Sequence, residues 1–206
     1  TGRCRERESQ LPVALGATLG VRLESLAPKH WRWQGRTVKL FDGTTVSMPD
    51  TPDNQQAYPQ SREQKPGLGF PMARIGALIG LASGAVLRYQ VAACEGKGTG
   101  EQSLLANLLP HLNAGDVLLA DALLATWWIV EGASRRRADV VMPQHGRRIT
   151  DFTRGSQLGK KGHVVHWPRP PKPKTMRAED YARYPEFITL REFEVDGRIL
   201  VTTLLD

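Results

Sequence analysis

The sequence predicts an α/β protein built on a mixed sheet flanked by helices, and three observations lead to it. Three apolar or alternating segments follow one another between residues 36 and 93, with a hairpin signal between the last two. An unbroken apolar run, Val117 to Ala120, and a second buried-strand segment, Asp139 to Met142, each follow a helical pattern, the order that places parallel strands in one sheet. Beyond Pro143 the texture changes to basic loops and short strands, read as a β-rich insertion after the fourth and fifth strands.

Residues 1–35 mix charges, a Leu/Val/Ala stretch and the Trp31/Trp33 pair, and are read as a partly helical lead-in. The core is expected over 36–145 and the insertion over 146–206. Arg36 to Phe41 (RTVKLF) alternates as a strand does and is expected to end at Asp42-Gly43. Residues 49–67 hold four prolines and little apolar content, a surface loop. Phe70 to Leu81 and Ala85 to Ala93 flank Ser83-Gly84, so an antiparallel pair is expected there. In GKGTGEQSLLANLL, Thr99 is expected to cap a helix with Gln102 returning the bond, and Leu104, Leu105, Leu108 and Leu109 form its apolar face.

Val117 to Ala120 ends at Asp121 and reads as a buried strand parallel to the first. A second helix is expected over 122–137, then a buried strand at Asp139 to Met142. His163 to Trp167 forms a short strand, PRPPKPK a stiff run, and 187–195 and 198–205 a strand pair.

Hydrophobic residues make up 40% and charged ones 24%, ordinary for a globular chain, and the uncharged apolar run Ile75 to Leu87 is too short and glycine-rich to span a bilayer. Cys4 and Cys94 fit no disulfide or metal spacing and the N-terminus carries no signal pattern, so a cytoplasmic setting is expected. A chain that begins at Thr1 and stops at Asp206 just after a strand reads as a fragment.

The net charge of +7 and pI near 9.7 point to a polyanionic partner. The charge is concentrated: Arg135 to Arg177 holds twelve Lys/Arg against Asp139 and Asp151, a local +10 that leaves the rest of the chain at −3. Arg135, Arg136, Arg147, Arg148, Arg154, Lys160, Lys161, Arg169, Lys172 and Lys174 are the candidates for contact with duplex DNA.

Asp42 and Asp121 each stand at the expected carboxyl end of a buried strand, 79 residues apart. Where those strands are neighbours the two carboxylates meet, and a divalent cation relieves their repulsion; Mg²⁺ or Mn²⁺ is the cofactor expected. The plainer alternative makes Asp42-Gly43 a turn and Asp121 a helix cap.

The segments DGTTVSMPDTPDNQ, QKPGLGFPMARIGAL, GKGTGEQSLL and GDVLLAD, in that order, resemble the DDE transposases of bacterial insertion sequences, the type-four family, over roughly residues 36–206. The resemblance implies a ribonuclease-H-like core and Mg²⁺-dependent cleavage and strand transfer at transposon ends. It also implies a homodimer on paired ends, and a bacterial, nucleoid-associated setting. By position Asp42 matches the family's first catalytic aspartate and Asp121 its second, with Gly43 letting the backbone leave the strand. After Asp121 the run Ala122-Leu123-Leu124 is aliphatic where the family carries polar and aromatic residues. The family's third acid, a glutamate on a helix beyond the insertion, has no counterpart before Asp206. Glu179, Glu186, Glu192 and Glu194 lie within the insertion. A catalytically dead DNA-binding remnant and a structure-specific nuclease on the same core are the rival readings.

GKGTGE departs from a phosphate loop because Gly98 intervenes after Lys97. His163 and His166 should face opposite sides of their strand and so hold no zinc together. At least one of Trp127 and Trp128 belongs to the core, and Trp167 either stacks on a base or packs against the proline run.

Overall fold

The computed structural model describes residues 15–63, 65 and 67–205, so Cys4 and the first part of the lead-in lie outside the described residues. Residues 15–26 form a helix, α1. β1 runs over Val38–Ser47, longer than expected, because Thr44, Thr45 and Val46 keep the backbone extended past Asp42. Burial along β1 switches from inside to outside at Asp42, so the buried part ends there although the strand does not. Gly43 is accordingly no exit from the strand: it sits inside β1, paired with Gly76 of the next strand.

A six-residue helix, α2 (Pro52–Ala57), interrupts the expected surface loop and is capped by Thr51. β2 (Met72–Gly80) pairs antiparallel with β1, and β3 (Val86–Ala93) pairs antiparallel with β2. The turn between β2 and β3 uses Gly84 at φ 68°, where a side chain is disfavoured. Gly76 makes room for the Phe41 ring, which lies 3.0 Å from where a Cβ would stand.

α3 spans Glu101–Leu108 and buries Leu104, Leu105 and Leu108 against β2 and β3, as its leucine spacing predicts. Its cap differs from expectation: Gly100 holds that position with no side-chain bond. The Thr99 hydroxyl instead donates to the Gly96 carbonyl at 3.0 Å, and the Gln102 amide donates to the Leu123 carbonyl at 2.9 Å.

β4 (Val117–Leu119) lies parallel between β1 and β5 (Asp139–Pro143). The single helix expected over 122–137 is two pieces. Asp121 caps a 3₁₀ turn at Ala122–Leu124, and Thr126 caps α4 at Trp127–Arg135. Two good capping side chains five residues apart each start their own turn, which divides the helix.

β6 (Ser156–Gln157), β7 (Gly162–Pro168), α5 (Ala178–Ala182), β8 (Phe187–Val195) and β9 (Arg198–Thr202) follow. Asp196 and Gly197, both at positive φ, close the β8–β9 hairpin with its natural twist. β9 pairs antiparallel with β5, so the basic segment extends the same sheet, ordered β3-β2-β1-β4-β5-β9-β8-β7-β6. The molecule is thus mixed α/β with a nine-stranded mixed sheet. Its core runs from Phe41 and Leu78 through Leu118 and Val140 to Trp167 and Leu190. Among the described residues no helix is long and apolar enough to cross a membrane.

Candidate functional site

The parallel ladder of β1 and β4 aligns Val38 with Val117, Lys39 with Leu118 and Leu40 with Leu119. Carried two residues further, past the end of β4, the same register would set Asp42 opposite Asp121. Residues at alternate positions share a face, so Asp42 lies on the face of Val38 and Leu40, away from Phe41. Neighbouring strands are about 4.8 Å apart, so a ladder continued past Leu40 and Leu119 would put the two acids side by side; the paired residues themselves stop at Leu119, two short of Asp121. Both are exposed.

Asp42 Oδ1 accepts from the Gly43 N–H at 2.8 Å, and Asp121 Oδ1 accepts from the Leu124 N–H at 3.2 Å. Asp121 is therefore a cap as well as a candidate ligand, and its second oxygen has no partner among the described residues. The turn alternative for Asp42-Gly43 does not occur. A missing side chain at Gly43 serves another neighbour: the carboxyl of Glu101, the first residue of α3, lies 2.8 Å from where a Cβ would stand. That close approach was not legible in the sequence, since it depends on how α3 crosses β1 and β2. Strand alternation puts Glu101 on the face opposite Asp42. Among the described residues no group of three or more His, Cys, Asp or Glu side chains is placed to hold a metal. The donor set at the β1–β4 end is two exposed carboxylates, hard oxygen ligands of the kind that bind Mg²⁺ together with water and substrate oxygens.

The basic candidates divide by partner. Arg135 pairs with Glu131 at 2.7 Å, Arg154 with Asp151 at 3.0 Å, and Lys161 with Glu194. Arg169 is committed to the fold, donating to the Tyr181 and Tyr184 carbonyls at 2.8 and 2.6 Å and lying over the Tyr181 ring. Lys172 donates to the Met176 carbonyl at 2.8 Å. Arg136, Arg147, Lys160 and Lys174 are exposed, and their side chains have no ion pair or hydrogen bond among the described residues. Arg148 stacks 3.5 Å above the Trp167 ring; its partial burial lowers its pKa, against an upward pull from the Glu192 carboxylate.

Trp167 departs from the base-stacking expectation. It is 2% exposed, donates to Glu192 Oε1 at 2.7 Å, lies under Arg148, and its carbonyl accepts from Trp127 Nε1, so its ring is not open to stack on a base. Trp127 is core as expected, and His163 and His166 face opposite sides, buried and exposed. A cavity of about 390 Å³ between the start of α4 and the basic loop is lined by Thr126, Trp128, His145, Arg147, Arg148 and Pro170. The chain segment that follows Asp121 thereby shares a wall with the free cation Arg147.

No protein-family model matches the sequence, and no curated protein matches it. Among solved structures the chain is similar to a piggyBac transposase synaptic complex with hairpin DNA determined by cryo-EM. The TM-score is 0.41 at 10% identity, covering 82% of this chain and 33% of that one. The chemistry of the site is accordingly read from its own residues.

Proposed function

We propose that this chain is part of a DNA transposase that cleaves and joins phosphodiesters with Asp42 and Asp121 as its first two metal-holding carboxylates. The observation that supports the reading is the parallel β1–β4 pairing, which ends two residues short of Asp42 and of Asp121, both of them exposed. When bound there, Mg²⁺ or Mn²⁺ supplies activation of a water or hydroxyl nucleophile and charge stabilisation on the leaving oxygen. The protein's own contribution is to hold both carboxylates on one face: Asp42 through the β1 ladder, Asp121 through its bond to the Leu124 N–H. Exposed cations on the basic segment would hold duplex DNA by its phosphates and so carry no base information. Bacterial insertion-sequence membership, a homodimer on paired ends and a nucleoid location belong to the same reading.

Binding of Mn²⁺, followed by water-proton relaxation, tests the site. Binding that is lost in both Asp42→Ala and Asp121→Ala, with duplex affinity retained, supports the proposal; binding indifferent to both removes it. DNA affinity should fall with salt at a log–log slope of roughly −4, since four unpaired cations each displace about 0.9 counterion. A non-catalytic DNA-binding role is the second reading, favoured by the cap that Asp121 supplies without any metal. Mg²⁺-dependent nicking of duplex DNA that vanishes in Asp42→Ala separates the two.

A further inference from the structure

The basic loop from 144 to 155 joins β5 to β6 without regular structure of its own. It carries Arg147, Arg148 and Arg154, and its Ile149 side chain is 93% exposed. Loops of that length inside a sheet are held by something or are mobile. Here the links converge on one buried carboxylate. Glu192 is 4% exposed and lies cross-strand from His163, itself 1% exposed. Glu192 Oε1 accepts from the Trp167 indole N–H at 2.7 Å, and Oε2 accepts from the Thr150 hydroxyl at 2.6 Å. Thr150 in turn accepts from the Gln144 amide at 2.6 Å, so both ends of the 144–150 stretch reach the same group.

His163 completes the arrangement. Its Nδ1 stands 2.7 Å from the Arg154 carbonyl, which only accepts, so Nδ1 carries a proton. Nε2 stands 3.1 Å from Glu192 Oε2, and a second proton must lie between them, because two bare acceptors would repel. The pair is thus a buried, neutral His–Glu unit bonded to the loop at Arg154 and at Thr150. Apolar residues of equal volume would commonly stabilise such a position as well or better, so stability alone does not account for it.

We propose that Glu192 is the positioning residue of the basic loop: through Thr150 and Trp167 it holds Arg148 flat on the indole and so fixes Arg147 and Ile149 facing solvent. The role of those cations in holding DNA rests on the function proposed above; the anchoring of the loop does not. On this account the β-rich half is a platform that presents a preset loop to its ligand.

Hydrogen exchange on the free chain and duplex affinity, measured in parallel, test it. Glu192→Gln should speed exchange of loop amides by about tenfold, the worth of one charged hydrogen bond, while β1, β2 and β4 stay protected. Thr150→Val, which keeps the His163–Glu192 pair, should act in the same direction and less. Duplex affinity should fall by about tenfold in Glu192→Gln, and in an Arg148→Ala background the same change should cost nothing more, since a residue acting through Arg148 is not additive with its loss. A loop as protected in both variants as in the unaltered chain, or fully additive losses, overturns the positioning role. If the unaltered chain does not bind DNA, the reading of the basic surface fails and the exchange arm alone decides the anchoring.

Discussion

Two buried pairs of ionisable side chains show how differently the halves of this sheet are held together. In the helix-covered half, Lys39 of β1 meets Asp116 at 2.7 Å and donates to the His111 carbonyl at 2.9 Å, with both side chains of the pair buried. In the β-rich half, His163 meets Glu192 beside a long loop, and arginines stack on Trp167, Tyr181 and Phe193. The first pair closes a core that hydrophobic burial has already built. The second stands beside the 144–155 loop, where polar links and cation–aromatic stacking hold the surface. Charge therefore plays two parts in the basic half: some arginines are structural, and only the remainder face solvent free.

Breaking the first pair should give the largest effect. Lys39→Met leaves Asp116 buried with only the Asn113 N–H for company, and should cost about 3–5 kcal/mol of unfolding free energy in urea, much of it returned when Asp116→Leu is added. A loss below 1 kcal/mol would mean the pair is wetter than its burial indicates.

The β-rich half should be most sensitive at a turn. Gly155 has φ 71°, and a Cβ there would stand 2.2 Å from the Val164 carbonyl oxygen, so Gly155→Ala combines backbone strain of about 1–3 kcal/mol with a backbone clash. Gly43→Ala meets only the flexible end of Glu101 and should stay within about 1 kcal/mol. Equal losses at the two glycines would erase the contrast between a rigid turn and a yielding contact.

The acids of the candidate site sharpen the comparison at smaller scale. Asp121→Ala should cost about 1 kcal/mol by removing the cap of the 3₁₀ turn, and Asp42→Ala within about 0.5 kcal/mol, because Asp42 bonds only its neighbour's N–H. Chemical denaturation of both variants reads this difference without any metal.

The smallest effect concerns pH. Burial, with the nearby positive charges of Arg88, Lys39 and Arg136, holds the His111 pKa below its ordinary value near 6.5. The unfolded chain therefore takes up the proton first, and stability present above about pH 6.5 declines as pH falls through that value. His111→Gln should flatten that acid-side slope in urea midpoints compared between about pH 7.5 and 5.5.

Much of the helix-covered half was legible because its signals are local. The hairpin glycine, the leucine spacing of α3 and the apolar runs of β4 and β5 each depend on residues a few positions apart. What failed there failed by competition between neighbours. Thr99 lost the α3 cap to Gly100, and Thr126 divided the helix after Asp121. The β1 strand ran past Asp42 because β-branched residues and a long partner, β2, outweighed the Asp-Gly turn signal.

The sequence by itself determined the alternation that makes the strands, the two acids at the limits of buried segments, and the concentration of positive charge after Arg135. These are properties of composition and short-range periodicity. Only the tertiary structure decided that β1 and β4 are parallel neighbours, that Gly43 accommodates Glu101, that Trp167 is buried beneath Arg148, and that Glu192 bonds the basic loop. Each of these is a contact between residues far apart in the chain, made by sheet register and packing, and no local pattern of residue types encodes it.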